Sequence, residues 1–231
     1  MKIICDGMQR SGSTWSFNAV KGLLARCRPG EEIYGGYDED IANFFASVPH
    51  TAQHVVLKCH LLDPTGKALA RSGQAKIIYT WRNLPDAAVS FMTMFGGDFE
   101  HVFLVLTASL VTYRFHARGK NALMIGYEEL MNQPEGAIGR IADHLGLEPS
   151  AAMVSTVAEE QSLEEVRKRA ERIHAQADES RLVRHENTVY DAETILHRNH
   201  IRDGGSGYGA GRLTEEQLGR LEALRREYGF F

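Results

Sequence analysis

The segment CDGMQRSGSTW, residues 5–15, holds the first concentration of groups that could do chemistry. Gly7 and Gly12 have the separation of a phosphate-binding loop, G-x-x-x-x-G-K-[ST], and Thr14 closes the pattern. Ser13 stands where that pattern has lysine, and a cation comes earlier instead, at Arg10. Backbone N–H groups from Arg10 to Trp15, at the start of a helix, would cradle an oxyanion. Without the lysine, the usual clamp on a nucleoside triphosphate is missing. Further polar groups follow three later apolar runs: Lys58 and His60, then Arg82, Asn83 and Ser90, then Tyr127 and Glu128. Two arginines, a lysine, a histidine and a tyrosine at one edge suit an anionic ligand with more than one charged end.

The elements that must position these groups can be read from the apolar pattern. Met1–Cys5, residues 54–60 (HVVLKCH), 75–82 (AKIIYTWR) and 122–127 (ALMIGY) are short apolar runs separated by helical segments. Strands apolar on both faces imply a parallel sheet covered on both sides, an α/β doubly wound fold. In such a sheet ligands bind beyond the carboxyl ends of the strands, where the groups above fall. Helices are predicted over 12–26 and 134–147, two more within 84–118, and an amphipathic one over 160–182, packed on the domain, with a lid or a dimer contact as its other uses. Residues 31–50 read as an acidic and aromatic loop. Residues 199–212 are glycine-rich, and Thr214 with Gln217 forms a capping box for a last helix. One domain over 1–231 is the simplest parsing, with acceptor-side or cap segments around 31–50 and 150–200.

With 231 residues, 43% hydrophobic and 24% charged, the chain has the balance of a soluble globular protein. A net charge of −4 argues against a sequence-independent nucleic-acid partner. Cys5, Cys27 and Cys59 form no C-x-x-C pair and no even framework, which points to a reducing compartment. No leader-like or membrane-spanning run is visible, so a cytoplasmic location with no membrane partner is expected. His50/His54 and His197/His200 have ligand-like spacing but lack a third ligand, so no metal site is expected.

Together these residues resemble the sulfotransferases that use 3′-phosphoadenosine 5′-phosphosulfate (PAPS). QRSGSTW (9–15) is similar to the family's 5′-phosphosulfate loop, P-K-S-G-T-T-W. YTWRNLPDAAVS (79–90) resembles its 3′-phosphate motif, GYEEL (126–130) its adenine-side segment, and KCH (58–60) its K-T-H strand end. The resemblance implies that Ser11, Gly12, Ser13 and Thr14 bind the 5′ phosphate and that Trp15 and Tyr127 contact adenine. Arg82 and Ser90 would bind the 3′ phosphate, and Arg10 would replace the loop lysine at the leaving oxygen. His60 would be the general base, since an acceptor hydroxyl must lose its proton and a neutral imidazole can take it near pH 7. Lys58 would stabilise charge on the bridging oxygen. Arg202 and Gly204 resemble part of the family's closing glycine loop, with Asp203 in place of its lysine and Tyr208 near its tryptophan.

The expected activity is sulfuryl transfer from PAPS to a hydroxyl or amine of a small-molecule acceptor, leaving 3′,5′-bisphosphoadenosine, with no metal. The alternative is a P-loop small-molecule kinase using ATP and magnesium; a non-catalytic nucleotide-binding module is a third reading. A homodimer is left open. An R-x-x-x-T-V-x-x-x-E pattern over 184–193 resembles the family's dimerisation motif, but it precedes the glycine loop instead of following it, and it is read as coincidence.

Overall fold

The computed structural model describes residues 1–175, 181–185, 188–197 and 205–230. Five parallel strands form the central sheet: β1 (Lys2–Gly7), β2 (Ile33–Tyr37), β3 (His54–Lys58), β4 (Lys76–Trp81) and β5 (Ala122–Gly126), in the order β2-β3-β1-β4-β5. Alternation explains its two buried faces. Ile3 and Cys5 pack with Val56, Ile78 and Ile125 against α1 (Ser13–Cys27), α7 (Pro134–Leu145) and α8 (Ala151–Glu160). Ile4 turns the other way, with Leu57 and Ile77, toward α2 (Ile41–Ala46) and α3 (Pro64–Ser72). Tyr79, farther along β4, meets α4 (Leu84–Phe95), α5 (Phe99–Arg118) and α10 (Glu215–Tyr228). The three layers are those of the expected doubly wound fold.

Two expectations need correction. Residues 31–50 are not a loop: β2 runs along the edge of the sheet and α2 follows it, capped by the Asp40 side chain on the Asn43 amide at 2.9 Å. Gly35 and Gly36 hide the strand, because glycine carries no strand propensity. They are there because aromatic rings pack on the backbone: a Cβ at Gly36 would lie 3.0 Å from Phe44.

The helix expected over 160–182 is really two elements and a break. Residue 150 starts α8 with a serine cap on Met153 at 3.3 Å, and α8 stops at Glu160. Ser162 then accepts from the Glu165 amide at 3.3 Å, and α9 (Leu163–Ala175) begins. Leu182 lies in β6 (Leu182–His185), which pairs antiparallel with β7 (Thr188–Asp191). The i,i+4 pair Glu164–Lys168 is formed at 2.7 Å, but Arg169 bonds the Glu160 carbonyl at 2.8 Å. A single helical period therefore ran across a capped junction and into a hairpin. The remaining helix, α6 (Tyr127–Asn132), follows β5 directly.

Candidate active site

At the carboxyl ends of β1, β3 and β4 the chain encloses a cavity of about 290 Å³. Its wall includes Arg10, Gly12, Ser13, Thr14 and Trp15 from the first loop and helix, Lys58 and His60 after β3, Arg82 and Ser90 after β4, and Tyr127. Of the residues expected from sequence, Arg202 and Gly204 lie outside the described residues. Ser11 is the one placed differently: it is fully buried, and its hydroxyl bonds Thr80 through the carbonyl at 2.9 Å and the side chain at 2.8 Å. That hydroxyl fixes the loop to the sheet and does not face the cavity.

The loop needs two unusual backbone conformations. Gly12 has φ 94°, and a Cβ there would come within 2.7 Å of Leu130. Arg10 adopts φ 66°, which is uncommon for a residue with a side chain. Its Nε donates to Ser90 Oγ at 3.0 Å, which draws the guanidinium toward the β4 end of the cavity. Arg82 is buried beside it, 4% exposed, and donates to the Arg10 carbonyl at 3.3 Å. The Arg82 guanidinium lies 3.9 Å above the Tyr127 ring, while its Nε is buried with no hydrogen-bond partner among the described residues. Burial and the neighbouring Arg82 charge hold Arg10 down to about 10, so it still carries its proton at neutral pH. Two adjacent cations, one half-buried and one buried with a donor that no described residue accepts, are what an anion with several oxygens would satisfy.

His60 is held by both ring nitrogens. Nδ1 lies 2.9 Å from the Gly7 carbonyl, which can only accept, so Nδ1 bears the hydrogen and Nε2 the lone pair. Lys58 Nζ sits 2.9 Å from that lone pair. Burial, then the Lys58 charge, pushes His60 well below the usual histidine range, and the ring is neutral at pH 7. Lys58 is itself pushed down to about 8, chiefly by burial. A neutral imidazole with its free nitrogen beside an ammonium can accept a proton from a hydroxyl and stabilise a developing anion next to it.

A model of the sulfotransferase domain matches residues 2–223. The chain belongs to the sulfotransferase domain family. No curated protein matches with significance. Among solved structures, mouse sulfotransferase SULT7A1 complexed with PAP aligns at a TM-score of 0.71 and 18% identity, over 98% of this chain and 84% of that one. Retinol dehydratase, in complexes with androsterone or retinol and PAP, aligns at 0.66 and 19%, over 98% of this chain and 80% of that one. At these identities the likeness concerns the fold.

In this sulfotransferase domain a second loop covers the cavity. Asp86, one turn into α4, accepts from the Gly207 and Gly209 amides, both at 2.7 Å, and from Asn83 Nδ2 at 2.8 Å. Arg82 donates to the Gly205 carbonyl at 2.7 Å, and Tyr208 turns its ring toward the same guanidinium at 5.6 Å. Burial alone would raise Asp86, but the three hydrogen bonds and the Arg82 charge outweigh it and leave it below the ordinary carboxylate range. Sequence reasoning missed Asp86 as an anchor, although its position four residues after Arg82 was a usable signal. It also missed Gln161, whose carbonyl accepts the Trp15 indole N–H at 3.0 Å and so ties the first helix to the α8–α9 junction. Trp15 is 9% exposed and packs in the core as well as lining the cavity. Among the described residues no group of three or more His, Cys, Asp or Glu side chains could hold a metal, and no helix is long and apolar enough to cross a membrane.

Proposed function

We propose that the cavity binds PAPS and that the chain transfers its sulfuryl group to a small-molecule hydroxyl or amine, with His60 as general base. PAPS would supply the S–O bond that breaks, leaving the electron pair on the 5′ phosphate as the acceptor oxygen bonds to sulfur. The acceptor proton goes to His60 Nε2. The observation that carries the reading is the Gly7–His60–Lys58 arrangement: one nitrogen pinned, the other bare except for an ammonium. Lys58 Nζ lies on the Nε2 lone pair. When the ammonium turns to the bridging oxygen, it frees the base and neutralises the leaving group in one movement.

The amides and hydroxyls of Ser13 and Thr14 and the Gly12 backbone would hold the 5′ phosphate, and the Ser11 hydroxyl holds the loop. Arg82, whose Nε has no partner among the described residues, and Ser90 would take the 3′ phosphate. Arg10 stands between the two subsites: it keeps the charge of the family's loop lysine, and its bond to Ser90 ties it to the 3′ side. Trp15 and Tyr127 would flank the adenine, and Arg202 and Gly204 would close over the 3′ phosphate. Phe95, Leu163, Val166 and Leu196, which also line the cavity, favour an acceptor that is apolar around its nucleophile. Acceptor contacts would come from 31–50, 91–103 and 150–200. The three cysteines are free thiols, two of them buried, which suits a reducing cytoplasm.

The test is a labelled-PAPS assay against phenols, alcohols and amines, with calorimetry on 3′,5′-bisphosphoadenosine. His60→Ala is expected to lower kcat at least about 1,000-fold and to change bisphosphate affinity less than about threefold. Transfer near the wild-type rate in this variant would remove His60 from the mechanism; tight binding of ATP only with magnesium would favour a kinase.

A further inference from the structure

We infer that Glu39 is the positioning residue of this centre: its carboxylate fastens the main chain that carries His60 and supplies the negative charge that keeps Lys58 an ammonium. The inference rests on the roles proposed above for His60 and Lys58. Glu39 lies between β2 and α2, in the acidic run that the sequence presents as a solvated loop. Its two oxygens each accept from the His60 amide at 3.1 Å, and one accepts from the Leu61 amide at 3.1 Å. The other oxygen accepts the Tyr37 hydroxyl at 2.9 Å. The same tyrosine ring lies under Lys58 Nζ at 4.6 Å and packs edge-on to His60 at 6.1 Å. One carboxylate and one ring, both from the edge strand and the turn after it, therefore bracket both groups.

The placement matters because Lys58 is 4% exposed, and a buried ammonium needs a compensating charge. The groups facing it from each side can be named. From β1 and its loop come Asp6, Cys5 and Arg10; from β3 come Cys59 and His60; from the β2 side come Tyr37 and Glu39. Arg10 opposes the ammonium, and His60 offers only a lone pair. Asp6 is already committed to the Gly7 amide at 2.7 Å and to His116 at 2.9 Å. Burial drives Lys58 down to about 8, and Glu39 is foremost among the groups that resist the fall. The carboxylate, raised by its own burial and stabilised by His60, Tyr37 and Leu61, has its oxygens occupied by those donors. It therefore works through its neighbours and does not itself take the acceptor proton.

The sign follows directly. Lys58 is charged below its titration point, so removing the Glu39 charge lowers that point and neutralises the ammonium at a lower pH. In Glu39→Gln the Lys58 Cε–Hε resonances, identified by their absence in Lys58→Arg, are expected to titrate about one pH unit below wild type in the ligand-free protein. The ratio of kcat/KM at pH 8 to kcat/KM at pH 6.5, which reports the free enzyme, should then fall about fourfold. Glu39→Asp keeps the charge and shortens the reach. It should leave the Lys58 titration within about 0.3 pH unit of wild type while kcat drops at every pH. A Lys58 titration unchanged in Glu39→Gln overturns the inference; so does a displaced one in Glu39→Asp, which serves if the glutamine variant does not fold. The resonance shift requires no sulfuryl transfer, so it separates a failure here from a failure of the proposed activity.

Discussion

At the residue scale the cavity is a problem in burying cations. Arg10, Lys58 and Arg82 share one enclosure, and their charges are compensated unequally. Lys58 has a carboxylate and an aromatic face nearby; Arg82 has Asp86 at 3.9 Å, an aromatic face on Tyr127 and an Nε with no hydrogen-bond partner among the described residues. The guanidinium's planarity is what the Tyr127 stack requires, so lysine cannot replace it by charge alone. Arg82→Lys is expected to weaken 3′,5′-bisphosphoadenosine binding at least about tenfold, roughly the value of one charge-assisted hydrogen bond, and to change AMP binding less than about threefold. Parallel titration calorimetry on the two nucleotides checks this. Equal losses for both would move Arg82 away from the 3′ phosphate. His60 titrates well below the usual histidine range because of burial and Lys58. The acid limb of kcat/KM, which reports the free enzyme, should accordingly lie below the ordinary histidine range, and the base stay available throughout neutral pH.

At the element scale, the site depends on α4, which carries Asp86 one turn from its start. Asn83 caps this helix by accepting from the Asp86 amide at 2.9 Å, and the Asp86 carboxylate then gathers the amides of the second loop. Asp86→Ala would leave the Gly207 and Gly209 amides without their acceptor and remove the carboxylate 3.9 Å from Arg82, at a cost of about 3 kcal/mol. We expect chemical denaturation to show that loss and protease cleavage to appear first around residues 205–209. Because Asp86 lies below the ordinary carboxylate range when folded, its contribution is fully present above that range and is lost as pH falls through the depressed value. The wild-type loop should thus loosen only in acid, and the variant at every pH; cleavage patterns indistinguishable at neutral pH would refute the anchor.

The same scale shows what the sequence could and could not tell. Strands β1, β3 and β4 were legible because both their faces are buried, and β5, at the far edge of the sheet, because its residues run apolar without interruption. Gly12, Lys58, His60, Arg82 and Ser90 were legible because strand ends in a parallel sheet converge on one edge. The edge strand β2 was not, since Gly35 and Gly36 yield to the rings of Phe17 and Phe44. The α8–α9 break was not, since it depends on Ser162 and on the distant Trp15, which engages the Gln161 carbonyl. Asp86 and Glu39 escaped for a related reason. Their work is to accept hydrogen bonds from backbone amides far along the chain, and a sequence does not record which amides arrive there.

At the scale of the whole molecule, a chain of net charge −4 places four cations, Arg10, Lys58, Arg82 and Arg212, in the wall of one cavity. The acidic excess lies elsewhere, and the cavity wall carries like charges at close quarters. A doubly phosphorylated nucleotide removes that repulsion in the folded state only, so binding must appear as stability. At about 100 times its Kd, 3′,5′-bisphosphoadenosine should add about 2.7 kcal/mol. For a chain of this length that corresponds to a rise in Tm of about 5–10 °C. The rise should shrink with added salt, because part of it is screened Coulomb attraction. It should survive EDTA, because cations from the chain take the position that a divalent ion takes in a triphosphate site. Differential scanning calorimetry with the bisphosphate, AMP and ATP, each with and without EDTA, decides among these. A shift that EDTA abolishes, or one as large with AMP, would mean that these side chains do not grip the nucleotide at both phosphates, and the electrostatic basis of the site would have to be sought elsewhere.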